Sequence, residues 1–428
     1  MSLLVLVALL LLLFTSSLLW NVSQSVVHRP VPLRYATEVV HNDDDDSPLL
    51  IPGNAAPARL AVPAGGYVIY ELQKNIYRVP ADGGIPESVA TPGYIYNRAV
   101  SPILTSSGQL LYSGDGLWLT DIFNDTPRQI ATLPAGQVIT SMVLSSDETM
   151  VAWSTEPIDG KGTNTLYAGP LEKSVAVYQH DATDCPCYRV FSFLHNTRNT
   201  TLLLTDDRGD HHSVQYGLWS LHVGNLNSGN TPSDDPQPLL DGDAQQGPLA
   251  LAPTGNTLLY STYQGLVPAP NDASVPPDIA ALNYANSLSV ASISAAPSPN
   301  VSASQSILPE QHDLSNSAAY HWVTTPLFSA DGHTLIYVEF SSDAVAPFDR
   351  HSAVYMVHLN GSGSRLSASK PQLLATATAL FVELGAWLND HILTFYADET
   401  LYALDTQNGA VTTIVQTKDY AHIVAVVD

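Results

Sequence analysis

The chain has 428 residues with 16 Lys and Arg against 40 Asp and Glu, a net charge of −24, and only 13% of its residues are charged, against about 25% in an average protein. A surface so poor in cations excludes nucleic acid and anionic lipid headgroups as partners, because both require clustered Lys and Arg. Thirty prolines and twenty-six glycines exclude helical solenoids, and two cysteines exclude a disulfide-built scaffold.

Leu3 to Phe14 is unbroken apolar sequence, and the residues through Trp20 extend it to about 18, the lower limit for spanning a bilayer. Residues 1–20 therefore read as a signal or transmembrane anchor. Trp20 at the boundary and the lack of an Ala-x-Ala cleavage site favour an anchor retained in the membrane. The expected location is the cell membrane with the remaining chain outside the cytoplasm, or secretion if the segment is cleaved. Residues 21–64 read as an extended acidic linker. Its Asp43 to Asp46 run lacks the glycine, glutamate and length of a calcium loop.

From residue 65 the chain repeats. The fullest copy is Phe328 to Phe340, a Ser-Ala-Asp-Gly turn followed by Leu335 to Phe340, apolar on both alternating faces as in a strand packed on two sides. The same pattern returns at Leu144 to Ser154, Leu251 to Ser261 and, more loosely, Ile103 to Ser113. The third apolar position of each strand gives seven markers, Tyr70, Tyr112, Trp153, Leu204, Tyr260, Tyr337 and Phe395, separated by 42, 41, 51, 56, 77 and 58 residues. In six units the next strand carries an aliphatic–aromatic pair, as in Ile76-Tyr77 and Leu401-Tyr402; in the fifth, Ser287 to Ser294 takes that place. Short strands in units of about 40 to 50 residues predict a seven-bladed β-propeller of four-stranded antiparallel blades over 65–428. The last unit has one strand too many, Tyr420 to Val427, and the first lacks one before Tyr67 to Gln73. The tail is thus expected to close blade one.

The Ser-x-Asp-Gly turn, the apolar strand ending in an aromatic residue and the aliphatic–aromatic strand after it resemble the WD40-like (PD40) repeat of TolB-type propellers. The resemblance covers about 65–428 and implies that fold. The same repeat occurs in propellers of dipeptidyl-peptidase-like hydrolases, but this chain has no Gly-x-Ser-x-Gly elbow.

Marker to next aromatic spans 7, 6 and 7 residues in blades one, two and seven, but 14, 15 and 18 in blades three, four and six, and more in blade five. In an antiparallel meander these connections all leave one face. They carry Asp159, Asp207, Asp210, His211, His212, Asp349 and His351, donors able to hold a divalent cation or a cationic ligand, although Asp is also an ordinary turn residue. Cys185-Pro186-Cys187 leaves three states open: a disulfide, two inert thiols, or a zinc or copper site completed by His211 or His212. No cofactor is assigned beyond that divalent metal. Fourteen histidines and many serines guarantee chance Ser, His and Asp combinations, so no catalytic residue is assigned. The expected function is non-catalytic protein or peptide binding by a monomer through the long-loop face of blades three to six. The alternative is a metal-assisted hydrolase or lyase acting on glycan or peptide. Converging carboxylates or imidazoles at the channel mouth favour the enzyme, and an apolar patch there favours the binding module.

Overall fold

The computed structural model describes residues 50–52, 65–97, 100–195, 200–206, 216–224, 235–245, 249–261, 287–294, 299–309, 319–343, 350–377 and 382–427. The N-terminal apolar run and most of the linker lie outside them, as do Asp207, Asp210, His211, His212 and Asp349. Among the described residues no helix is long and apolar enough to cross a membrane.

The strands form seven antiparallel sheets, six of four strands and one of six. Blade three shows the pattern, with Gln137–Leu144 innermost, then Met150–Pro157, Thr163–Pro170 and Val175–Asp181. First strands of neighbouring blades lie against one another, for example Gln137–Leu144 beside Tyr188–His195 and Val382–Trp387 beside Ala421–Val427. Blade one is assembled from both ends of the ring. Ala421–Val427 pairs with Tyr67–Leu72 in antiparallel register, Leu72 opposite Ala421 and Tyr67 opposite Val427. Within the stretch read as linker, Leu50–Pro52 pairs with Gln372–Ala377 as an outer strand of blade six. That blade's last strand offers unpaired backbone groups at its edge, and a short apolar segment ending in proline can satisfy them.

Local chemistry explains the repeated turn. The Ser329 hydroxyl donates to Asp331 Oδ1 at 2.5 Å, the same oxygen accepts from His333 N at 2.9 Å, and Thr334 N donates to Ser329 Oγ at 2.9 Å. Gly332 takes φ +71° and packs against Thr254 and Ala252 of blade five, where a Cβ would crowd them at 3.1 and 3.3 Å. Blade three builds the same turn with Glu148 at φ +57° in the glycine position. Its carboxylate accepts from Ser106 N at 2.7 Å and Ser106 Oγ at 2.8 Å, tying blade three to the corresponding turn of blade two.

The aromatic markers sit directly opposite their partners. Tyr70 faces Tyr77, Tyr112 faces Trp118, Trp153 faces Tyr167, Tyr337 faces Tyr355 and Phe395 faces Tyr402, each pair stacked with centroids 4.0 to 6.2 Å apart. In blade four Leu204 faces Trp219, and in blade five Tyr260 faces Ser289. These rings help fill the wedges between blades. Among the described residues the buried apolar side chains fall into seven clusters, each bridging a pair of neighbouring blades. Strands with two apolar faces follow from that arrangement, since both faces of every blade are covered.

Candidate functional site

Each innermost strand starts at the mouth where its neighbour's second strand ends, so the inter-blade connections and the second-to-third-strand connections share one face. Those connections are residues 73–74, 114–115 and 398–399 in blades one, two and seven, but 158–162, 207–215, 261–287 and 344–349 in blades three to six. The asymmetry expected from the sequence is therefore present in the strand ends. Of the loop residues singled out earlier, Asp159 and His351 are the two among the described residues. Asp159 is exposed, and its Oδ1 accepts from Lys161 N at 3.1 Å, the geometry of a solvated turn. His351 lies on the third strand of blade six, opposite Ser341. Cys185 and Cys187 are joined to one another in a disulfide, which is the state the structure takes among the three left open.

What does converge is a set of polar groups at the mouth between blades seven, one and two. Glu383 and His422 are each the second residue of an innermost strand, Val382–Trp387 and Ala421–Val427. His422 Nδ1 meets Glu383 Oε1 at 2.5 Å, and its Nε2 lies 3.0 Å from the hydroxyl of Ser101, which precedes the innermost strand of blade two. The second carboxylate oxygen of Glu383 accepts from the Tyr420 hydroxyl at 2.5 Å. A carboxylate accepts only, so Nδ1 carries a proton; when the ring is neutral, Nε2 is then the acceptor for the Ser101 hydroxyl. Both ring nitrogens are thus engaged by protein groups. The side chains are reachable, His422 being 26% and Glu383 11% exposed.

A second carboxyl stands beside this relay. Glu71 lies directly across the strand pair from His422 and is 4% exposed. Its Oε1 and the Tyr94 hydroxyl are both buried without a hydrogen bond of good geometry. Burial drives the Glu71 carboxyl above its usual range, the Tyr94 hydroxyl and the His422 imidazole pull it back, and the charge of Glu383 adds to the rise. A carboxyl raised on folding contributes stability that is complete below its unfolded value and is lost as pH climbs through its folded value. Glu71→Gln keeps the shape without the charge, so the variant should melt above the parent at neutral pH, the difference shrinking as pH falls below the ordinary glutamate range. Melting curves across pH check this, and parallel profiles would count against it.

Sequence reasoning missed Ser101, Glu383 and His422 because 321 residues separate the serine from the histidine. One signal was present: Glu383, His422 and Arg189 each occupy the second position of an innermost strand whose other residues are largely apolar.

No family model matches the chain, and no curated protein matches it. Solved structures do. A functionally unknown protein from Desulfotomaculum acetoxidans is 13% identical, with 85% of this chain and 99% of that one covered at a TM-score of 0.50. A periplasmic gluconolactonase of Pseudomonas aeruginosa is 10% identical, with 85% and 98% covered at 0.48. An oligogalacturonate lyase in complex with manganese is 12% identical, with 83% and 86% covered at 0.47. At such identities the likeness is one of fold alone.

Proposed function

We propose that this propeller is a hydrolase of acyl bonds working at the mouth between blades seven, one and two. The observation that carries the reading is the Ser101–His422–Glu383 relay, with the serine hydroxyl on one imidazole nitrogen at 3.0 Å and the glutamate on the other at 2.5 Å. That is the order of groups that nucleophilic catalysis needs. Ser101 Oγ attacks the acyl carbon as His422 Nε2 takes its proton, Glu383 stabilises the imidazolium, and the proton passes to the leaving group. Water then repeats the sequence to release the acid.

The net charge of −24 and the Glu383 carboxylate at the mouth disfavour anionic substrates. Neutral or cationic esters and amides fit, including acylated glycans and peptides. The longer connections of blades three to six supply surface on the same face for the remainder of such a substrate. The reading departs from a purely binding role because the mouth presents carboxylates and an imidazole, the pattern set out above as favouring an enzyme.

A fluorophosphonate probe tests it, since only an activated serine is phosphonylated. The full chain should be labelled at Ser101, with labelling and p-nitrophenyl ester hydrolysis falling about 10²- to 10⁴-fold in His422→Gln. A relay that merely latches the ring seam would leave Ser101 unlabelled, and that outcome overturns the proposal.

A further inference from the structure

The connection from blade three to blade four carries the chain's two cysteines, and the hydrolytic relay does not use them. Cys185 is exposed and Cys187 is 2% exposed, their Cα atoms 4.6 Å apart. The backbone N–H of Cys187 donates to Asp206 Oδ1 at 2.8 Å, and Asp206, on the second strand of blade four, is 5% exposed. The two Sγ atoms and a carboxylate oxygen of Asp206 all lie within 4.8 Å of one another. Among the described residues this is the one group of three potential ligands so closely gathered.

We propose that reduction of the Cys185–Cys187 disulfide converts this connection into a binding site for a thiophilic divalent cation of the zinc and cadmium type, held by both thiolates and Asp206. Reduction takes two electrons and two protons from a dithiol donor, which leaves as its own disulfide. The sulfurs then separate from bonding distance to about 3.8 Å, their spacing on a tetrahedral ion with Zn–S near 2.3 Å. The short Cα separation permits this by side-chain rotation. On binding, both thiols lose their protons, and the three anionic donors outweigh the cation by one charge. Soft sulfur selects zinc or cadmium over calcium and magnesium, while the buried carboxylate completes three protein ligands and leaves a position for water. In the oxidised chain the sulfurs bond each other and the site does not exist.

The test uses the full chain, oxidised or reduced with a phosphine that is removed before titration, with Cd²⁺ alone as probe. Sulfur-to-cadmium charge-transfer absorption should be absent from the oxidised protein. It should saturate at one equivalent in the reduced protein and vanish in Cys185→Ser. Asp206→Asn should weaken binding by at least the 10- to 100-fold that losing even a supporting group costs a metal site. Equal binding by the oxidised chain would overturn the gate, silence after reduction confirmed by thiol titration would overturn the site, and unchanged affinity in Asp206→Asn would overturn the carboxylate's part. Melting curves of both variants before titration separate lost ligands from lost fold.

Discussion

Deleting residues 418–428 should unfold the ring or send it into aggregates under conditions where the parent stays folded and in solution. The deletion removes Ala421–Val427, paired at six positions with Tyr67–Leu72, and so exposes the free edge of blade one at the channel. It also empties two inter-blade cores at once, since Ile423 belongs to the cluster between blades seven and one and Val427 to that between blades one and two. Burying such a side chain contributes about 1.5–3 kcal/mol, so these two residues alone approach the lower end of a domain's total stability, about 5 kcal/mol. Thermal melting with size-exclusion chromatography checks the result. A synthetic peptide of residues 418–428 added in trans should recover part of the loss, and a truncated chain that melts within a few degrees of the parent would contradict the clasp.

Trp153→Ala should cost about 3–5 kcal/mol, the range for emptying a large aromatic site in a packed core. Trp153 is 2% exposed, stacks on Tyr167 with centroids 4.0 Å apart and planes 8° apart, and joins Leu111, Leu117 and Leu119 of blade two in one cluster. Its indole N–H donates to Ser174 Oγ at 3.0 Å. Trp153→Phe keeps the stack and loses that bond, for about 1 kcal/mol plus a smaller packing loss. Urea unfolding of both variants gives the comparison. Equal losses would show that the hydrogen bond, and not the filled wedge, is what the position supplies.

Blade number, strand markers, the Ser-x-Asp-Gly turns and the asymmetry of loop length were legible in the sequence because each rests on short-range physics. Side chains alternate along a strand, and the Asp331 turn closes through bonds to residues two positions away on either side. Blade five shows where this reading thins, since Tyr260 faces Ser289 and not a second ring, so the turn and strand of Leu251 to Ser261 had to carry the unit. The Cys185–Cys187 disulfide could be posed as one of three states but not chosen, because adjacency in sequence permits all of them. Of the relay, sequence could mark Glu383 and His422 as polar residues on otherwise apolar strands but could not bring them to Ser101. Ser101, Glu383 and His422 come from blades two, seven and one, and His422 reaches both partners only because the last strand of the chain is seated inside the first blade. The local pattern could determine that the tail is a strand. Only ring closure, which sets the register placing His422 opposite Glu71 and between two neighbouring blades, decided that its single imidazole would stand between an acid and a serine.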